Sequence, residues 1–271
     1  MSTSFNYQGK TVFVVGGTSG INLGIARGFA QAGARLAVFS RDQGKVDGAV
    51  AELQGLGAEA VGFSADVREY KQVQKALQQA HEQLGDIDVL VSGAAGNFPA
   101  AGNEMSSAAF KVVVDIDLNG TFNVLRSAYE LLRKPGAAVI NISAPQAFLP
   151  MQMQAHVCAA KAGVDMVTRT LAMEWGPAGV RVNSLVPGPI AGTEGMKRLA
   201  PTPEIQQAVT QSVPLKRQGS CEDMANAALF VASEQASYIS GVVLPVDGGW
   251  SLGGASVMGE GLAQMMAAKK S

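Results

Sequence analysis

A glycine-rich segment near the N-terminus follows a short run of β-branched and aromatic residues. Residues 11–16 predict a strand, and residues 16–24 read Gly-Gly-Thr-Ser-Gly-Ile-Asn-Leu-Gly before a helical pattern continues. Glycine permits a tight turn, and the unpaired amide N–H groups at a helix N-terminus attract anions. This spacing favours a site for the pyrophosphate of a dinucleotide over a turn that binds nothing. The candidate contacts are Gly16, Thr18, Ser19, Gly20 and Ile21.

The second predicted strand ends on a basic residue instead of an acidic one. The chain reads Phe39-Ser40-Arg41 at a place where an acidic side chain binds the ribose hydroxyls of NADH. Arg41 offers a forked cation to a 2′-phosphate, and Ser40 offers a hydroxyl group. The sequence therefore predicts NADPH as the cofactor, and a solvated surface arginine is the alternative.

Short apolar runs alternate with longer segments of helical period along most of the chain. This alternation is typical of a parallel sheet covered by helices on both faces. The predicted strands cover 11–16, 34–40, 58–63, 87–92, 137–143, 180–186 and 242–246. The predicted helices lie near 21–32, 42–55, 69–84, 104–133, 155–175 and 221–233. The predicted fold class is α/β, a single doubly wound Rossmann-type domain with a seven-stranded parallel sheet and helices on both faces.

No linker or change in composition divides the chain, so residues 1–271 are expected to form one dinucleotide-binding and catalytic domain. Prolines interrupt the region near 187–213, which suits a loop or a small helical lid over the carboxyl ends of the strands. The tail near 250–271 is expected to be either a short amphipathic helix or a frayed end.

The composition limits the partners. The formal net charge is -1 and the basic residues are scattered, so we expect no nucleic-acid partner and no anionic membrane surface. No segment approaches the ~20 apolar residues of a spanning helix. The two cysteines stand far apart, without a CxxC motif or a histidine cluster, which predicts reduced thiols and no metal site. A cytoplasmic location is predicted.

Several ordered motifs between residues 8 and 250 resemble those of the short-chain dehydrogenase/reductase family. The glycine segment resembles its Gly-x-x-x-Gly-x-Gly loop, with Asn22 in place of the third glycine, and Lys161 stands at the lysine of its Tyr-x-x-x-Lys motif. Other similar segments are Ala65-Asp66-Val67, Ser92-Gly93-Ala94-Ala95-Gly96, the Pro187-Gly188 turn and Asp247-Gly248-Gly249. The resemblance implies that NADPH also contacts Asp66, Val67, Ala94, Ala95, Gly96, Lys161, Pro187, Gly188, Ile190 and Thr193.

Three further positions depart from the family pattern. Val157 occupies the place of the tyrosine and Ala144 that of the serine, so both hydroxyl groups that protonate a carbonyl oxygen are missing. Asp117 replaces the active-site asparagine. These departures, with the run from Ala95 to Pro99, resemble the 2,4-dienoyl-CoA reductase branch, especially its peroxisomal form. The resemblance implies an NADPH-dependent conjugate hydride transfer to a dienoyl-CoA-like thioester, in which Asp117, Lys161 and water stabilise and protonate an enolate.

The role of Asp117 has two readings. An ionised Asp117 would orient a water molecule and Lys161, whereas a protonated Asp117 would donate a hydrogen bond. We favour the ionised form, and a purely structural helix aspartate is the plain alternative. Asn119 is a weaker catalytic candidate. Ser143 is expected to point away from the site, because neighbouring strand residues face opposite sides.

Two other functions are compatible with these residues. One is a carbonyl reductase of unassigned substrate, with water, His156 or Asp117 as an atypical proton donor. His156 is expected at the surface or an interface instead, since the next residue of a helix points about 100° away. The other is a catalytically silent regulator that binds NADPH. Activity on ketones alone, or cofactor binding without reduction, would identify them.

The expected substrate is an acyl-CoA-type small molecule. Thioether and aromatic side chains suit an acyl-sized pocket, although ordinary core packing is an alternative for each of them. A basic residue in the lid is a candidate for the phosphates of CoA, although exposed charges are common. The candidate substrate contacts are Asn97, Phe98, Phe148, Met151, Met196 and Arg198. The family resemblance implies a homo-oligomer, a tetramer, formed through the long helices near 104–133 and 155–175.

Overall fold

The computed structural model describes residues 5–253, which fold around one seven-stranded, all-parallel sheet. Every predicted strand is present, and no end differs from the prediction by more than two residues. The strands are β1 (Thr11–Val15), β2 (Arg35–Ser40), β3 (Ala60–Ser64), β4 (Val89–Ser92), β5 (Ala138–Ile142), β6 (Arg181–Pro187) and β7 (Val243–Val246). The predicted α/β fold class is therefore confirmed.

Helices cover both faces of the sheet. Two short helices occupy the region near 187–213 in which the sequence predicted a loop or small helical lid. The α-helices of the described range are α1 (Gly20–Gln31), α2 (Gln43–Gly55), α3 (Tyr70–Leu84), α4 (Ser107–Val114), α5 (Gly120–Ala128), α6 (Ala155–Trp175), α7 (Glu194–Leu199), α8 (Pro203–Ser212) and α9 (Cys221–Ala232).

The strand order creates a crevice at one edge of the sheet. The order is β3-β2-β1-β4-β5-β6-β7, so the chain first builds outward from β1 and then crosses back to β4 on its other side. The connections that follow β1 and β4 therefore leave the sheet in different directions. In such a sheet, ligands bind at the carboxyl ends of the strands beside this change of direction.

Alternate residues of β1 pack on opposite faces of the sheet. Val12 and Val14 lie in a core with side chains of α1 and α9. Phe13 and Val15 lie in a second core with side chains of α3, α5 and α6. Because both faces are covered, all of β1 is buried, which explains why its residues after Thr11 are all apolar. The two cores hold the carboxyl end of β1 at a fixed place beneath the crevice.

The segment predicted as helical near 104–133 is helical from Ser107 to Leu131, but its hydrogen bonding changes along its length. α4 and α5 are joined by a π-helical turn, Asp115–Asn119, and the chain ends this segment in a 3-10 turn, Tyr129–Leu131. A π turn departs from the regular hydrogen bonding of the α-helix and is frequent at functional sites. The turn places the side chain of Asp117 inside the protein, where it is 1% exposed.

The sequence predicted neither a membrane-spanning helix nor a metal site, and two observations on residues 5–253 concern these predictions. Within residues 5–253, no helix is long and apolar enough to cross a lipid bilayer. The same range holds no group of three or more His, Cys, Asp or Glu side chains placed to bind a metal ion. Most of the tail predicted near 250–271 lies outside the described residues; its first part, Trp250–Leu252, is a 3-10 turn.

Candidate active site

A cavity of about 720 Å³ lies at the carboxyl ends of the central strands. It extends from the glycine segment after β1, past the loops after β2, β3 and β4, to α6 and the lid region. Every residue that the sequence predicted to contact the cofactor lines this one cavity. The fold therefore brings together residues that are as far apart in sequence as Gly16 and Thr193.

The glycine segment forms a cradle at the N-terminus of α1. Gly16 has a φ of +77°, and a Cβ atom there would lie 2.9 Å from the backbone nitrogen of Ala94, so no larger residue fits. Ser19 caps α1 without a side-chain hydrogen bond, which leaves the first amide N–H groups of the helix free for an anion. These features fit the pyrophosphate of a dinucleotide.

Asn22 has a structural reason to replace the family's third glycine. Its Nδ2 atom donates a hydrogen bond to the carbonyl oxygen of Gly93 at 2.7 Å. The amide group packs so closely that a Cβ atom on Gly93 would lie 2.4 Å from it. Asn22 therefore ties the glycine segment to the loop after β4, and it also lines the cavity. The sequence by itself showed only that Asn22 stands where the family has a glycine.

The carboxyl end of β2 presents two basic side chains to the cavity. Ser40 and Arg41 line it as predicted, and so does Lys45 from the first turn of α2, which the sequence analysis missed. The available signal was a second basic residue four positions after Arg41. Asp66 also lines the cavity, but its carboxylate is engaged by Arg68, whose guanidinium lies 2.6 Å away and lowers the pKa of Asp66. The region around β2 therefore favours a ligand with additional negative charge.

A buried ion pair occupies the middle of the cavity wall. The Nζ atom of Lys161 lies 3.2 Å from Oδ2 of Asp117, and the two side chains are 5% and 1% exposed. Oδ1 of Asp117 accepts a hydrogen bond from the amide of Gly96 at 2.7 Å, and Lys161 donates to the carbonyl of Ile142 at 3.0 Å. One oxygen of Asp117 thus accepts from a backbone amide and the other faces the charge of Lys161.

The positions of the missing hydroxyl groups also line the cavity, and they are apolar. Val157 and Ala144 both face it. Ser143 also forms part of the cavity wall, but its hydroxyl oxygen is shielded from solvent, so the expectation that its side chain points away stays a prediction. Ser143 lies beside buried Asp165. Burial raises the pKa of Asp165, while the hydroxyl groups of Ser143 and Ser184 oppose that shift.

Four predicted contacts do not line the cavity. Asn119 lies on the far side of the π turn from Asp117 and donates a hydrogen bond to Asp115 at 3.0 Å. Phe148 is 47% exposed at the surface. Phe98 packs edge-on against His156, with 4.6 Å between ring centroids. Arg198 instead donates to the backbone carbonyl of Asn97 at 3.3 Å. The predicted catalytic role of Asn119 therefore lacks the required placement.

The remaining predicted substrate contacts face the cavity. Asn97, Met151 and Met196 all line it, and Gln146, Val209 and Trp250 join them, although the sequence analysis did not select these three. His156 is completely buried, which corrects the expectation of a surface or interface position. Its burial follows from the packing of Phe98 against its ring.

The all-parallel sheet, its anion cradle and the lysine of α6 define a dinucleotide-binding oxidoreductase of the Rossmann type. A family described as Enoyl-(Acyl carrier protein) reductase matches residues 15–251. The chain belongs to this family of short-chain dehydrogenases/reductases and is an oxidoreductase. The predicted family and enzyme class are confirmed.

Similar proteins share most of the chain. A peroxisomal 2,4-dienoyl-CoA reductase [(3E)-enoyl-CoA-producing] of Arabidopsis thaliana is 39% identical, covering 89% of this chain and 84% of the relative. The Rattus norvegicus protein of the same name is 43% identical with the same coverage. A peroxisomal 2,4-dienoyl-CoA reductase from the yeast Saccharomyces cerevisiae is 38% identical, covering 97% of this chain and 92% of the relative. The resemblance to the dienoyl-CoA reductase branch is thus confirmed, whereas the cytoplasmic location and the tetramer stay predictions.

Solved structures show the same fold. A short chain dehydrogenase from Bacillus anthracis superposes with a TM-score of 0.82 at 35% identity, covering 89% of this chain and 96% of that one. Levodione reductase superposes with a TM-score of 0.85 at 28% identity, covering 91% and 99%.

Proposed function

We propose that this protein uses NADPH to reduce 2,4-dienoyl-CoA-type thioesters. The observation that carries the proposal is the buried pair of Asp117 and Lys161, located where apolar residues replace the hydroxyl groups of the family. Such a site is poorly equipped to protonate an alkoxide, and it suits a reaction in which a carbon atom accepts the proton. The names of the plant, rat and yeast relatives support the same reaction.

The described residues of the cavity fit NADPH. The cradle at Gly16 and the free amides of α1 would hold the pyrophosphate, and Arg41 with Lys45 would hold the 2′-phosphate. Lys161 has three N–H donors; one is directed at the carbonyl oxygen of Ile142, and the ammonium group pairs with Asp117 at 3.2 Å, so at least one donor remains for the ribose hydroxyls. When bound, NADPH supplies the hydride.

The proposed reaction separates the charge from the site of protonation. Addition of a hydride to C5 of a 2,4-dienoyl thioester moves the π electrons to the thioester oxygen and forms an extended enolate. A proton at C2 then completes a 3-enoyl thioester, in agreement with the product in the names of the relatives. The site must therefore stabilise an oxygen anion and deliver a proton to carbon.

Lys161 and Asp117 can divide these two tasks. The ammonium group of Lys161 supplies positive charge near the thioester oxygen, and a well-placed donor in a dry site contributes roughly 3 kcal/mol to the transition state. Oδ2 of Asp117 accepts no directed hydrogen bond within the described residues, so it can accept one from a water molecule. That water gives its proton to C2 and regains one from solvent.

An absorbance assay tests the proposal directly. Protein mixed with NADPH and 2,4-dienoyl-CoAs of several chain lengths is expected to oxidise the cofactor, and proton NMR is expected to identify a 3-enoyl-CoA product. Simple ketones serve as the control and are expected to give no turnover. Reduction of ketones alone would select the carbonyl reductase reading. NADPH binding without reduction of any compound would select the silent regulator.

Cofactor choice depends on Arg41 and Lys45 in this proposal. Arg41→Ala is expected to raise the Kd for NADPH by about tenfold or more, because a hydrogen bond to a charged group contributes about 1.5–3 kcal/mol. Lys45→Ala is expected to act in the same direction, and neither change is expected to alter NADH affinity appreciably. Fluorescence titration of both cofactors measures the effect, with exposed Lys75→Ala in α3 as the matched control. Equal weakening of NADPH and NADH would contradict the assignment.

A further inference from the structure

A buried glutamine faces the cavity two residues after Ala144. Gln146 lies in the 3-10 turn Pro145–Ala147 that follows β5, and it is 9% exposed. Its Nε2 atom donates to Oε1 of Gln154 at 2.8 Å and contacts Sδ of Met151 at 3.5 Å. Both contacts are acceptors, so they fix the orientation of the amide group and leave its oxygen on the other side.

The oxygen of Gln146 needs a donor from a ligand. Oε1 is shielded from solvent and has no hydrogen-bond partner among residues 5–253. The Oδ1 atom of Asn97 is likewise shielded and has no hydrogen-bond partner in that range, and Asn97 also lines the cavity. These residues follow β5 and β4, which are neighbours in the sheet, so their loops begin side by side. Buried acceptors without partners are destabilising, and their retention in a cavity points to a ligand that carries N–H or O–H groups.

The chemistry of the reactants narrows the choice of that ligand group. A dienoyl chain and its thioester carry no N–H or O–H group. The hydroxyl and amide donors of NADPH belong to the other wall, formed by Lys161 and the turn from Pro187 to Thr193 in the proposed function. The pantetheine arm of the substrate has two amide N–H groups, and the first is only two carbon atoms from the thioester sulfur.

We propose that Gln146 accepts a hydrogen bond from a pantetheine amide N–H, with Asn97 as a second acceptor, and that the enzyme thereby selects pantetheine thioesters. This inference rests on the proposed function, because it places the thioester beside Asp117 and Lys161. Gln154 is a positioning residue: it is 3% exposed and holds the amide of Gln146 in the accepting orientation. The selection acts on the carrier of the acyl group and not on the acyl chain.

Two small thioesters that differ at one group provide the test. The dienoyl thioester of N-acetylcysteamine keeps the first pantetheine N–H, whereas the thioester of O-acetyl-2-mercaptoethanol has an ester oxygen at that place. Wild-type protein is expected to show at least about a tenfold higher kcat/KM for the amide compound, because a site built to bind an N–H group rejects an analogue without it. Gln146→Leu is expected to bring the ratio to within about twofold of one.

Controls separate specificity from folding. NADPH affinity is expected to stay unchanged in Gln146→Leu, and the thermal midpoint is expected to fall because Gln154 loses its donor. Exposed Gln79→Leu in α3 is expected to keep the wild-type ratio. Gln146→Met, with a more flexible side chain, provides the same comparison if the leucine variant does not fold. Loss of the ratio in either folded variant supports the assignment, and an unchanged ratio overturns it.

The outcomes also distinguish this inference from the proposed function. Equal reduction of the two small thioesters by wild-type protein would overturn the role of Gln146 and leave dienoyl reduction intact. Failure to reduce any dienoyl thioester, dienoyl-CoA included, would overturn both. Coenzyme A and acyl carrier protein share the pantetheine arm, so dienoyl groups on both carriers are compared. Gln146→Leu is expected to lower kcat/KM on each carrier that wild-type protein uses, and no loss on either would contradict the inference.

Discussion

Asp117→Asn is expected to lower kcat for dienoyl-CoA reduction by about a hundredfold or more while NADPH affinity changes by less than about twofold. The asparagine keeps the size of the side chain and an oxygen that can accept from the amide of Gly96. It removes the negative charge that pairs with Lys161 and that, in the proposed mechanism, orients the water which protonates carbon. Steady-state kinetics and cofactor titration measure the two quantities separately.

The same π turn offers a matched control for this substitution. Asp115 lies two residues earlier, does not line the cavity, and pairs with Lys111 on the surface. Asp115→Asn is expected to leave turnover near the wild-type value. Wild-type turnover in Asp117→Asn would contradict the catalytic role assigned to the carboxylate and would favour a purely structural role for Asp117.

Lys161→Met is expected to damage stability, cofactor binding and turnover together. Removing one partner of a buried ion pair leaves an uncompensated charge and costs about 3–5 kcal/mol of unfolding free energy. The variant also loses the ammonium donor for the ribose, so we expect the Kd for NADPH to rise about tenfold. Urea unfolding and fluorescence titration measure the two effects. Exposed Lys71→Met in α3 is the control and is expected to change neither.

A double variant tests whether the two side chains act as a pair. Asp117→Asn with Lys161→Met removes both charges, so it is expected to recover much of the unfolding free energy lost in Lys161→Met. Turnover is expected to stay low, because the groups assigned to the enolate and to the water are both gone. Additive losses of stability in the double variant would contradict the ion pair as the source of the destabilisation.

The fold was predictable because its signals are local and repeated. β1 is apolar from Val12 to Val15 since it is buried on both faces, and the glycine segment directly after it identifies the turn into α1. The cofactor residues were also predictable, because loops at the carboxyl ends of parallel strands meet at one edge of a sheet. The resemblance to a known family aligned this chain with the family's motifs. That alignment identified Val157, Ala144 and Asp117 as departures from the family pattern.

The composition of the substrate side was less predictable, because it depends on the direction of individual side chains. Phe148 and Met151 lie three residues apart with similar apolar character, yet only Met151 faces the cavity. Asn119 stands two residues after Asp117, yet it is exposed and donates a hydrogen bond to Asp115.

The sequence by itself determined the parallel sheet, the dinucleotide cradle and the absence of the family's two hydroxyl groups, because each follows from residue types at fixed local spacings. The tertiary structure decided that a π turn buries Asp117 beside Lys161, since apolar periodicity does not reveal which turn of a helix changes its hydrogen bonding. It also decided that Lys45 joins Arg41 in the cavity wall and that the shielded Oε1 atom of Gln146 has no hydrogen-bond partner among residues 5–253. Those placements result from packing between distant segments, which no local pattern in the chain records.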